Sequence, residues 1–196
     1  KLEEAEVNYK KAIELKPDYV EAYNNLGITM HSLQRLEEAE VSYKKAIELK
    51  PDYVEVYNNL GVTLNNLNKL EEAVALYEKV IKLKPDYAEA YYNFGCVLQK
   101  LRMFEKAEAR YKKALELQFN SPAIYLNLGI TLQYLRKYEE ARTIFEKALS
   151  LDYKEKMIMT AYGRLLLKLN EHKKGLEFIR QGEGSIVFRQ SGFEII

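Results

Sequence analysis

The chain has 196 residues, enough for one ordinary domain or an elongated stack, and its 47% hydrophobic content supports a continuous core and argues against disorder. Lysine and arginine number 30 against 29 acidic residues, a net charge of +1, so the electrostatic footprint that nucleic acid requires is missing. Apolar runs such as Leu165 to Leu167 fall far short of the roughly 20 residues of a membrane span, and a lone cysteine, Cys96, rules out an intramolecular disulfide framework and fits a reducing compartment, with cytoplasm as the default.

The chain opens on Lys1-Leu2-Glu3-Glu4, without an initiator methionine and in mid-repeat, so it reads as a piece of a longer protein. Leu2, Ala5, Tyr9 and Ile13 then belong to a first helix whose sequential partner is absent. From there a period of 34 residues governs the chain: Gly27, Gly61, Gly95, Gly129 and Gly163 keep that step, as do Tyr23, Tyr57, Tyr91 and Tyr125, and Pro17, Pro51 and Pro85. Residues 3–30 and 37–64 differ at only four of 28 positions, which leaves no competing register.

Each unit divides into two helical stretches. In the unit after Pro51, Tyr57, Leu60, Gly61 and Leu64 lie on one helix face, and after Leu67-Asn68-Lys69 the residues Ala73, Leu76, Tyr77, Val80 and Ile81 trace another. The prolines cannot continue the helix before them. Asp18, Asp52 and Asp86 stand three residues before Glu21, Glu55 and Glu89, a spacing that predicts a capping box; Ser121-Pro122 predicts a serine N-cap with proline at the first helical position. Glycines of the first helix and Ala39, Ala73, Ala107 and Ala141 of the second predict close backbone approach, with Tyr9, Tyr43, Tyr77, Tyr111 and Phe145 as bulky knobs. Neither helix buries its apolar face alone, so units must stack.

Tyr-Asn-Asn-Leu-Gly, then Leu-Glu-Glu-Ala, then Tyr-Lys-Lys-Ala-Ile-Glu-Leu-Lys-Pro resembles the tetratricopeptide repeat. The resemblance covers a second helix at 1–16, repeats at 20–53, 54–87, 88–121 and 122–155, and a degenerate repeat at 156–182, leaving 183–196 as a tail or the start of a further segment. It implies an all-α fold, a right-handed superhelical solenoid of antiparallel helix pairs, with a short non-helical tail. Departures fall late: Phe119 and Tyr153 replace the proline, Val80 replaces a small alanine, and the last unit has Met159 for tyrosine, His172 at an aromatic or leucine position, and Gly175 and Gly182 where alanine is expected. Glycine inside a helix costs roughly 0.5–1 kcal/mol relative to alanine, so that last helix is expected to be the least stable. The tail reads as a hairpin of Ile186–Phe188 with Phe193–Ile196, as a cover for the apolar edge of the last repeat, or as the first strand of a further domain.

The resemblance implies that the first helices line a concave face that meets ligands, here a protein or peptide. On that face Asn25, Asn59, Asn93 and Asn127 recur just before the Leu-Gly or Phe-Gly pair. An amide offers donor and acceptor to an extended backbone without reading its sequence, and the pattern resembles the asparagine ladder of the superhelical domain of O-GlcNAc transferase. Helices about 10 Å apart and a peptide rise of about 3.3 Å give about three peptide residues per repeat. Around the ladder the expected groove carries Asn24, Asn58, Tyr92 and His31, with Asn65, Gln99, Gln133 and Tyr134 further along. Glu21, Glu55 and Glu89 form either caps or an acidic rim. The lysines and arginines of the family's carboxylate clamp are replaced by Asn24, Glu89 and Asn93, which rejects that specialisation.

No catalytic constellation, metal site or cofactor motif is visible. His31 and His172 lie in different repeats, Cys96 has no sign of a lowered pKa, and the glycines are periodic packing residues. Paired glutamates such as Glu37-Glu38 read as a solvated face. The expected function is therefore a non-enzymatic scaffold binding an extended segment, with two alternatives: the targeting or substrate-recruiting arm of a larger enzyme beginning after Ile196, or a self-assembly module. The unpartnered edge at Leu2, Ala5, Tyr9 and Ile13 adds an end-to-end homo-oligomer to the expectations.

Overall fold

The structure, a computed structural model, describes residues 1–151 and 155–183 and the backbone of 186–189 and 192–195. The chain divides into two compact units, Lys1–Leu101 and Arg102–Ile196. The first holds α1 (Leu2–Leu15), α2 (Val20–Ser32), α3 (Leu36–Leu49), α4 (Val54–Asn66), α5 (Leu70–Leu83) and α6 (Ala88–Lys100). The second holds α7 (Phe104–Glu116), α8 (Pro122–Tyr134), α9 (Tyr138–Ser150), α10 (Lys156–Lys168) and α11 (His172–Glu183), followed by β1 (Ile186–Arg189) and β2 (Gly192–Ile195). Within the units, short loops join the helices of a repeat into packed pairs, α2 with α3, α4 with α5, α8 with α9 and α10 with α11. The strands pair antiparallel with Ile186 opposite Ile195 and Arg189 opposite Gly192. Tyr153, and the side chains on which the reading of the tail as a cover depends, lie outside the described residues.

The turns that follow α2, α4, α8 and α10 share one chemistry. At the end of α2 the Arg35 N–H donates to the Met30 carbonyl (2.9 Å) and the Gln34 N–H to the His31 carbonyl (3.0 Å), the two bonds of a Schellman motif. That geometry places Gln34 at φ 61°, and Asn68, Arg102, Arg136 and Asn170 share the left-handed region at the same repeat position. None of them is glycine, so the turn is held by its hydrogen bonds against a local cost of roughly 1–2 kcal/mol.

Between repeats the turn differs. Pro17 keeps Lys16 extended (φ −141°), and the Tyr19 N–H donates to the Lys16 carbonyl at 3.1 Å, closing a β-turn with Pro17 and Asp18 at its centre. Asp18 is thereby drawn off the helix start. Tyr19, Tyr53 and Tyr87 are the N-caps and make no side-chain capping bond, which overturns the expected capping boxes at Asp18, Asp52 and Asp86. Glu55 instead meets Lys84 at 3.4 Å. Ser121 is an N-cap with Pro122 at the first turn, as expected, but its hydroxyl makes no capping bond. Phe119, standing where proline is found earlier, has an N–H to give: it donates to the Ala114 carbonyl (2.9 Å), and a Schellman motif with Gln118 at φ 65° replaces the proline turn.

The knobs meet the glycines. A Cβ on Gly27 would lie 2.6 Å from Tyr43 Cε1, and one on Gly61 would lie 2.6 Å from Tyr77 Cζ; Phe145 fills the same space over Gly129. The small residue therefore admits an aromatic ring from the second helix rather than a backbone, which corrects the expectation for these repeats. Tyr77 is wholly buried, stacks on Phe94 (5.8 Å, 20°), and its hydroxyl has no hydrogen-bond partner. Burial pushes the Tyr77 hydroxyl well above the usual phenol range. In α10 and α11 the backbones do approach: a Cβ on Gly163 would lie 2.6 Å from the Gly175 carbonyl, and one on Gly175 would lie 2.8 Å from the Gly163 carbonyl. Gly182 sits equally close over Thr160. Where alanine was expected, glycine is what the close approach of α10 and α11 needs.

Ion pairs join successive second helices at a separation of 29 residues. Glu6 meets Arg35 (2.7 Å), Glu40 meets Lys69 (2.8 Å), and Glu108 meets Lys137 (2.9 Å). In the last repeats the signs reverse, with Arg142 on Glu171. Burial alone would raise the Glu40 carboxyl, but hydrogen bonds from Lys44 and Lys69 outweigh it and hold the pKa below 4.5. Glu108 stands in the same balance with Lys112 and Lys137.

Candidate functional site

The first helices of the repeats place the expected site residues in register. In the first unit these are α2, α4 and α6, and their contacts follow a step of 35 residues. The Asn59 side-chain amide donates to Asn24 Oδ1 at 3.1 Å, and the Asn93 amide donates to Asn58 Oδ1 at the same distance. Asn24 and Asn58 are 7% and 2% exposed, so they are buried acceptors within the stack and not open groove residues, contrary to the expectation. Burial of an amide is tolerated because the next repeat satisfies it. Asn25, Asn59 and Asn93 are half-buried. An amide has two N–H groups and a carbonyl, so one bond to the neighbouring repeat leaves Asn59 and Asn93 a donor and an acceptor each.

Other members of the expected groove also bridge repeats. His31 Nε2 lies 3.0 Å from Asn66 Nδ2, and Lys100 donates to the Asn65 carbonyl at 3.0 Å. The Asn65 side-chain oxygen is buried without a partner. Tyr92 and Gln99 are half-buried on α6.

The second unit uses the same register with different chemistry. Asn127 is half-buried on α8, and its backbone carbonyl accepts from Thr131 Oγ1 at 2.7 Å. The positions equivalent to Asn24 and Asn59 are here Leu126 and Ala161, which can form no amide bridge. Both line a cleft of about 540 Å³ between α8, α10 and the end of α11. Its apolar part is Leu126, Ile130, Met157 and Ala161, spaced along one face of each helix. Met157 and Tyr134 are 67% and 59% exposed, and the Tyr134 ring stacks on Phe104 at 4.5 Å. Lys156, Arg164 and Lys168 stand on the rim at helical spacing. Arg164 donates to Glu183 at 2.8 Å, and Lys168 reaches Gln133 at 3.5 Å.

Sequence reasoning identified Gln133 and Tyr134 but missed the rest of this cleft. The signal was present in the repeat alignment, as the change from Asn to Leu126 and from Asn to Ala161 at paired positions.

Family models decide what the repeat is. One described as "TPR repeat" matches residues 1–34, 29–68 and 64–101, and two described as "Tetratricopeptide repeat" match 88–121 and 122–155. The chain belongs to the tetratricopeptide-repeat family. No curated protein matches it. Among solved structures, this tetratricopeptide chain is similar to YrrB, described as a TPR protein with an unusual peptide-binding site, at 24% identity and TM-score 0.73, over 89% of this chain and 90% of that one. It is similar to PilW, a widely conserved type IV pilus biogenesis factor, at 23% identity and TM-score 0.81, over 90% and 82%. A third is MamA from Desulfovibrio magneticus RS-1, at 23% identity and TM-score 0.77, over 83% and 92%. At these identities the likeness is one of fold.

Among the described residues no helix is long and apolar enough to cross a membrane, and no group of three or more His, Cys, Asp or Glu residues is placed to hold a metal ion.

Proposed function

We propose that this tetratricopeptide chain is a non-catalytic scaffold that binds an extended segment of a protein partner on the faces of its first helices. The observation that supports the reading most is the half-buried amide series Asn25, Asn59, Asn93 and Asn127, in which Asn59 and Asn93 are held in place by Asn24 and Asn58 and keep hydrogen-bonding capacity for a ligand. A side chain fixed by its neighbour loses less rotamer freedom on binding, so the amide is organised before the peptide arrives. The peptide-binding site of YrrB, a protein of the same fold, gives the reading independent support.

The test uses peptides selected on the intact chain from a random displayed library. Replacing Asn25, Asn59, Asn93 and Asn127 together by alanine is expected to weaken them about tenfold or more, with helicity preserved by circular dichroism. Unchanged affinity removes the ladder from the account.

A further inference from the structure

We infer that the cleft between α8, α10 and the end of α11 is a docking site for an acidic polypeptide segment that carries a large apolar side chain. The inference rests on the reading that first-helix faces take polypeptide, and it names the class of partner for the second unit.

The volume, about 540 Å³, lies in the range of clefts that enclose ligand groups. Its floor comes from Leu126, Ile130 and Ala161, and the exposed Met157 is an adaptable wall for a branched or aromatic side chain. The rim sets the charge. Lys156, Arg164 and Lys168 recur along one edge of α10 against a single acid, Glu183, so the surroundings of the floor are positive in a chain whose net charge is only +1. A ligand that fills the floor and carries aspartate or glutamate beside its apolar residue satisfies both parts. A basic ligand would meet three cations against one carboxylate, and that carboxylate is already held by Arg164.

Glu183 gives the site an internal competitor. Its carboxylate already accepts from Arg164 at 2.8 Å from the last turn of α11, where a ligand carboxylate would bind. Ligand binding then exchanges one carboxylate for another on a planar guanidinium suited to either.

The experiment selects peptides from a random displayed library on the intact chain and measures the recovered peptides by fluorescence anisotropy. Enrichment of aspartate or glutamate next to leucine, isoleucine or phenylalanine is expected, with affinity falling as salt rises. Lys156→Glu with Lys168→Glu should weaken these peptides about tenfold or more, and Met157→Ser should weaken them several-fold; both sets of positions are exposed, and circular dichroism confirms folding. Glu183→Gln should tighten binding a few-fold, a direction that damage to the fold would not produce. Selected peptides without acidic residues, no selection at all, or affinities indifferent to the Lys156 and Lys168 reversal overturn the inference. Asn59→Ala with Asn93→Ala separates the two readings: loss of binding there with no effect of the rim variants keeps the ladder and removes the cleft, and the converse keeps the cleft and removes the ladder.

Discussion

The two units solve one packing problem in opposite ways. In the first, successive first helices are tied by buried amides, Asn24 to Asn59 and Asn58 to Asn93. In the second, the same repeat positions hold Leu126 and Ala161, and an apolar cleft opens there. The helix pairs differ as well, though only at the last one: Phe145 fills the space over Gly129 as Tyr43 and Tyr77 do over Gly27 and Gly61, whereas Gly163 and Gly175 bring the backbones of α10 and α11 together. A repeat can thus keep its period and its fold while exchanging polar bridging for apolar surface, and it is at the exchange that a specific binding surface can arise.

The largest effect should come from the glycines. Gly163→Ala places a methyl against the Gly175 carbonyl, which cannot rotate away, and should cost about 3 kcal/mol in urea unfolding. Gly61→Ala presses on the Tyr77 ring, whose neighbours can shift, and should cost about 1–2 kcal/mol. Equal losses would erase the distinction between the two kinds of helix contact.

Exchanging the register chemistry between units comes next. Asn58→Leu leaves the Asn93 amide without its acceptor and should cost about 1–2 kcal/mol, while Asn58→Leu with Asn93→Ala, the chemistry of the second unit, should recover about 1 kcal/mol of it. Simple additivity would mean that the amide bridge contributes nothing as a pair. The left-handed turns should give a smaller change of opposite sign: Gln34→Gly and Arg136→Gly, at φ 61° and 58°, should each stabilise by up to about 1 kcal/mol.

The ion pairs should show the smallest effect, because solvent screens their exposed lysine and arginine partners. The folded pKa values of Glu40 and Glu108 are lowered from 4.5, so their contribution is complete above that value and is lost as pH falls through the lower folded pKa. Glu40→Gln with Glu108→Gln should flatten the acid side of a urea-midpoint profile and leave its alkaline side alone.

The repeat period, the two helices of each unit and the aromatic knobs were legible because they rest on local periodicity and on volume, which a single sequence displays directly. The capping boxes were not, because the spacing of Asp18 and Glu21 is the same whether aspartate caps a helix or sits in a proline turn; the Lys16-Pro17 pair decides it through backbone sterics. Asn24 and Asn58 looked like groove residues because a polar residue on a helix carries no mark of burial. Only the partner 35 residues away, Asn59 or Asn93, shows why burial is tolerated. The ion pairs at a 29-residue step and the Leu126 and Ala161 substitutions lay in the sequence as well, but reading them needs the knowledge of which positions face each other across repeats.

The most direct test of binding by the first-helix faces is a methyl and side-chain-amide NMR titration of the intact chain with a library-selected peptide. Shifts are expected at the Asn59 and Asn93 amides for a peptide held by the first unit, or at the Ile130, Met157 and Ala161 methyls for one held by the second, with Val41 of α3, an exposed second-helix residue, unmoved. Shifts gathered around Val41 and the other second-helix methyls, with the first-helix groups silent, would contradict the account.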